Sequence, residues 1–147
     1  MTRLHAPLLL AALVVACQKR AASVRAGDLA IEPGYATAAP TGDGGAAYFT
    51  IRNDAAQPDT IRSVSVDGAS ASHLHATTRV GGMMRMTLLD PAVVPGHGAL
   101  ALAVGGVHLM FEGTAKRVGL GDTVTVRLRF ARGGAVSFPL AVRPYGG

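Results

Sequence analysis

Thr123-Val124-Thr125-Val126-Arg127-Leu128-Arg129-Phe130 alternates without a break, every second residue apolar and the others polar or charged. Successive side chains of a β-strand point to opposite faces, so this octad reads as a strand with one face in a core and the other in water. Working outward, Ala135 to Val142 supplies a partner strand, joined through Gly133-Gly134, a pair suited to a tight turn. Toward the N-terminus, short apolar runs at 46–52, 59–66, 72–80, 83–89, 99–104 and 107–111 are separated by Gly, Pro, Asn and Asp. With 122–130 and 135–143 these make about eight strands spaced roughly ten residues apart, which predicts an antiparallel sandwich or barrel. No helical period, internal repeat or low-complexity tract interrupts that pattern. A β domain of this length buries enough surface to fold without disulfides or metal. A metal, if one is bound, is then cargo.

The first residues read differently. Arg3 precedes an apolar run from Ala6 to Ala16, which ends Val14-Val15-Ala16-Cys17. About a dozen apolar residues are too few to span a bilayer as a helix but suit a signal peptide. The ending resembles a bacterial lipoprotein cleavage box, in which Cys17 becomes the lipid-bearing first residue; the alternative is an ordinary signal peptide that contains a cysteine. The expected organisation is a signal peptide at 1–16, a lipidated Cys17 with a tether at 17–28, and one β-sandwich domain at 29–147. Gln18, not being aspartate, points to lipid anchoring at the outer membrane, with the domain in the periplasm.

Cys17 is the one cysteine of 147 residues. Once it is lipidated, the domain has no thiol, which excludes disulfides, zinc–cysteine modules and a cysteine nucleophile. Net charge is +5, and loss of Arg3 lowers it by one. The basic residues are scattered and Trp is absent, so a stacking groove for nucleic acid is not expected.

Histidine and methionine are unevenly placed. Beyond the N-terminal segment, every histidine (His73, His75, His97, His108) and every methionine (Met83, Met84, Met86, Met110) lies between residues 73 and 110. Strand parity puts His73 with His75, Met84 with Met86, and His108 with Met110 on shared faces. Val107, Leu109 and Phe111 then point into the core. If these strands converge, two imidazoles and two thioethers can meet around a point. Neutral N and S donors suit a soft, low-charge ion such as Cu(I), or Ag(I) as its mimic. Zinc seldom takes thioether, and blue-copper sites need a cysteine.

His75, ten residues, Met86, twenty-one residues, then His108-Leu109-Met110 reproduces the H-x10-M-x21-H-x-M pattern of the periplasmic copper chaperone family PCu(A)C. Ala47-Tyr48-Phe49-Thr50-Ile51-Arg52-Asn53, Gly82-Met83-Met84-Arg85-Met86 and Gly105-Gly106-Val107-His108-Leu109-Met110 also resemble that family, over roughly 29–143. The resemblance implies a cupredoxin-like Greek-key β-sandwich. It further implies a copper(I) site of His75, Met86, His108 and Met110, and delivery to a copper-accepting protein such as a cytochrome c oxidase subunit, or to another copper carrier. Ala76 departs from the acidic residue common in the family after the first histidine, and Arg143-Pro144-Tyr145-Gly146-Gly147 carries no His- and Met-rich tail.

Around that set, Met84 reads as a rim or supporting residue and His73 as an auxiliary ligand or a capture residue at the mouth. His97, in Pro95-Gly96-His97-Gly98, reads as a turn residue, and Met83 points away. Met86 and Met110 as core filler is the competing reading, because methionine packs irregular gaps well. Three functional classes remain: a copper carrier or storage and resistance protein, an enzyme, and a metal-free adhesion or assembly module. The enzyme fares worst, for the segment has no Ser/His/Asp set or paired carboxylates, and four ligands leave no open metal position. A monomer touching the membrane only through its lipid is expected.

Overall fold

The computed structural model describes residues 23–145. The signal-peptide and Cys17 expectations lie outside the described residues. Within them the fold is entirely strand and turn, with no helix long and apolar enough to cross a membrane. In chain order the strands are β1 (Val24–Ala26), β2 (Leu29–Ile31), β3 (Tyr35–Ala38), β4 (Gly44–Tyr48), β5 (Thr50–Asn53), β6 (Asp59–Val66) and β7 (Ala71–Val80). There follow β8 (Met83–Leu88), β9 (Ala92–Val94), β10 (Gly98–Ala101), β11 (Val107–Glu112), β12 (Thr123–Phe130) and β13 (Ala135–Ala141).

They form three antiparallel sheets, ordered β1-β2-β5-β10, β3-β4-β11-β7-β8 and β13-β12-β6-β9. Six of the ten neighbouring pairs are not consecutive in sequence, so the chain crosses over repeatedly, as Greek-key sandwiches do. β4 and β5 are one run that changes sheet at Phe49, whose ring meets Phe138 edge-on at 5.1 Å and ties the layers together. The opening octad is β12, and its parity is kept: Val124, Val126, Leu128 and Phe130 are buried, while Arg127 and Arg129 are exposed. On β13, Val136, Phe138 and Leu140 complete the same face.

One row of residues decides which way the middle sheet faces. Ala36, Ala47, Leu109 and Leu74 are successive cross-strand partners on β3, β4, β11 and β7, and none is more than 5% exposed. Burying Leu74, Leu109 and Phe111 contributes roughly 1.5–3 kcal/mol each. A one-residue slip would throw that row into water, so the register is strongly held. Residues one step along, among them His75 and His108, are thereby committed to the outer face. Gly45 permits the close packing at the sheet's other side: a Cβ there would strike the Thr37 carbonyl and the Phe111 ring.

The strand expectations need four corrections. The run at 46–52 divides into β4 and β5, because the bend at Phe49 serves two sheets. β2, β3 and β9 were not anticipated; each has only three or four residues, too few to show a period. Part of the expected tether at 17–28 is β1, which pairs back onto β2 through Gly27 at φ 56°. The strand expected at 99–104 stops at Ala101, as the chain turns toward Gly105.

Candidate metal centre

β7 and β11 run antiparallel with His75 directly opposite His108 and His73 directly opposite Met110. Parity alone made these residues able to meet, and the register joins them. The His75 and His108 rings lie 5.9 Å apart in an edge arrangement, and the Met110 Sδ is 3.3 Å from His75 Nδ1. His73 stacks beside His75 at 6.2 Å and 23°. His75 and Met110 are half-buried, His108 is 7% exposed, and His73 is open to solvent.

Each imidazole is prepared to offer a lone pair. His108 Nδ1 lies 3.1 Å from the Gly106 carbonyl, which can only accept, so Nδ1 carries the proton and Nε2 is free as a donor atom. That carbonyl is held by a tight turn: Gly106 N–H donates to Ala103 O at 3.0 Å, and Gly105 takes φ 78°. The carbonyl also sits in the β7 ladder, accepting from Thr77 N–H at 3.0 Å. The role of Gly106 was not anticipated; the only sign of it is the Gly-Gly pair just before Val107. Burial holds the His75 pKa below the ordinary histidine value, and the neighbouring His108 and His73 add to this, with Glu112 opposing. His75 is therefore readily neutral, as a metal ligand must be.

Met86 reaches the same face from β8, but not on the same rung. His75 is opposite Leu88 on that strand, whereas Met86 is opposite Thr77, so Met86 approaches His75 diagonally. β8 is an edge strand exposed along its whole length, with Met86 at 52%. Met84 is a further rung out, opposite Arg79 and toward the hairpin tip, and is not brought to the cluster. Met83 pairs with Val80 on the other face, as expected. His97 stands in an exposed turn at φ 47°, away from the site.

The donor set is consistent with a soft cation. Among the described residues, no three His, Cys, Asp or Glu side chains gather into a cage, so the common zinc and hard-cation arrangements are missing. What converges is imidazole with thioether. None of the three methionines of β8 is core, and Met110 is only half-buried. That weakens the core-filler reading for Met86 most of all.

The chain is thus a β-sandwich whose middle sheet carries imidazole and thioether donors on its outer face, the cupredoxin-like architecture of PCuAC domains. The apo PCuAC domain of PmoF1 superposes with a TM-score of 0.67, at 20% identity over 82% of this chain and 98% of that one. The copper-bound PCuAC domain of PmoF2 gives 0.67 at 20% identity, covering 82% and 97%. The Cu(I) form of DR1885 from Deinococcus radiodurans gives 0.62 at 26% identity, covering 87% of this chain and 85% of that one. No individually curated protein matches the sequence. Residues 29–142 match the family described as "Putative lipoprotein LpqE-like", and the chain belongs to that LpqE-like family.

Proposed function

We propose that this protein is a copper(I) carrier of the cell envelope, holding one ion with His75, His108, Met110 and Met86 and passing it to a copper-accepting protein. The observation that carries the reading is the cross-strand pair His75/His108, with the Met110 sulfur 3.3 Å from the first imidazole and Met86 on the same face. Two imidazoles and two thioethers form an uncharged set that favours Cu(I) over zinc and over hard cations. Copper is present in the related PmoF2 and DR1885 structures, which supports the same cargo here. The lipoprotein description of the family supports an envelope location, with a lipid on Cys17 as the anchor. Cytochrome c oxidase assembly is the destination that the PCu(A)C resemblance implies. Carriage fits a face whose converging donors are imidazoles and thioethers, groups that hold a soft ion.

Anaerobic competition against a chromogenic Cu(I) chelator tests the reading, with X-ray absorption on the loaded protein. One Cu(I) per chain is expected, with both sulfur and nitrogen scattering and no displacement by equimolar Zn(II). Failure to retain Cu(I), or a shell of nitrogen and oxygen alone, would remove the site.

A further inference from the structure

The outer face of β7 and β11 holds more donors than one Cu(I) ion uses. His75 with His108 and His73 with Met110 form two adjacent rungs, a rectangle of three imidazoles and one thioether. Met86 lies beyond one side of that rectangle, diagonal to His75 on β8. His73 lies at the opposite end, its ring 6.2 Å from His75. On the next rung past Met110, Glu112 stands on the same face, opposite Ala71 and diagonal to His73. The face therefore offers several kinds of donor: sulfur at Met86 and Met110, nitrogen at His73, His75 and His108, and carboxylate oxygen at Glu112.

Copper's two oxidation states choose differently among these donors. Thioether suits Cu(I), while Cu(II) prefers imidazole nitrogen and oxygen. We propose that His73 is the donor that lets this face hold Cu(II): with His75 and His108 it completes a three-imidazole set, used in place of Met86. This rests on the copper reading above, because His75 and His108 belong to both sets. The imidazoles are not drawn together as a closed cage. His73 is exposed, however, and an exposed side chain turns freely between rotamers, so it can swing toward His75 when an ion arrives. The two sets share their middle, so either oxidation state is held at one place with a change of one ligand. A carrier so built would keep its cargo if dioxygen took one electron from the bound Cu(I) and left Cu(II) in place.

The test compares the full protein with His73→Gln and Met86→Leu, titrating Cu(II) under electron paramagnetic resonance and Cu(I) by anaerobic chelator competition. His73→Gln should weaken Cu(II) binding by about tenfold or more and simplify the nitrogen hyperfine pattern, leaving Cu(I) affinity within about threefold. Met86→Leu should do the reverse. His97→Gln, a surface control outside the site, should change neither. An unchanged Cu(II) spectrum and affinity in His73→Gln would overturn the assignment, as would equal losses for both ions. Wild type that binds Cu(I) but not Cu(II) would sink this inference alone; wild type that binds no Cu(I) would sink the carrier reading.

Discussion

Replacing Met86 and Met110 by leucine asks whether two methionines are ligands or packing, and the structure sets the size of each outcome. Leucine nearly conserves the volume, so the metal-free domain should hardly notice. Met86 is 52% exposed on an edge strand. Its replacement should alter stability by no more than about 0.5 kcal/mol. Met110 is half-buried between Ala46 and His73, and its swap should cost less than about 1.5 kcal/mol. Free Cu(I) buffered at about a thousand times the wild-type Kd stabilises the native state by about 4 kcal/mol. For a domain of this size, 1 kcal/mol moves Tm by roughly 4 °C, giving a copper-induced shift of roughly 15 °C. Losing one thioether should weaken binding about a hundredfold, which removes about 2.7 kcal/mol of that, or roughly 10 °C. The double variant should lose almost all of it. Thermal unfolding at fixed chelator-buffered Cu(I) measures both effects, with Met83→Leu, on the opposite face, as the control that keeps the full shift. A double variant that melts normally and retains the whole increment would show that the sulfurs are not ligands.

Two further outcomes test other parts of the argument. Below about pH 6.5 an unfolded chain protonates His75, whereas the native residue, held lower mainly by burial, takes the proton only at more acid pH. The unfolded state then binds more protons, so apo stability from this group is complete above about pH 6.5 and is lost as pH falls through the lowered native value. Cu(I) affinity should follow the same window and persist in part, because thioethers do not titrate; chelator competition that stays flat down to about pH 4.5 would exclude the histidines. Labelled fatty acid should enter the wild-type protein and not Cys17→Ser, and equal labelling of both would remove the lipid anchor.

The long, alternating elements were legible and the short ones were not. β12, β13, β6 and β7 run for seven to ten residues, enough for period two to stand out against chance. β1, β2 and β9 have three residues each, and nothing local distinguishes Val24-Arg25-Ala26 from linker. They exist because neighbours accept their backbone hydrogen bonds, which is tertiary information. The division of β4 from β5 has the same origin. Ala46 to Arg52 is one apolar run in sequence, and only its two sets of partners, β3 and β11 against β2 and β10, reveal the change of sheet.

The site divides along a similar line. Parity told which histidines and methionines share a face, because that depends on one strand at a time. Register is a relation between strands, and it proved decisive for the unequal standing of the four proposed ligands. His75, His108 and Met110 occupy adjoining rungs over a buried row, Leu74, Leu109 and Ala47, that cannot slip. Met86 is anchored by nothing comparable, since every residue of β8 is exposed and, among the described residues, the strand stands last in its sheet. Local opening is easiest where buried contacts are fewest. A four-ligand set with three donors on a fixed wall and one on a loosely held edge can release its ion one bond at a time. On the proposed ligand set, leaving would begin at Met86, on the exposed edge, and copper would stay held by the wall until a replacement donor arrived. Such an order would suit a carrier better than a storage protein. It predicts that tethering β8, by a cystine bridging Arg79→Cys and Met84→Cys across their shared rung, would slow Cu(I) transfer to an acceptor while leaving equilibrium affinity nearly unchanged. Stopped-flow transfer to a chelator measures the rate; an unchanged rate in the oxidised variant would show that exit does not begin at this edge.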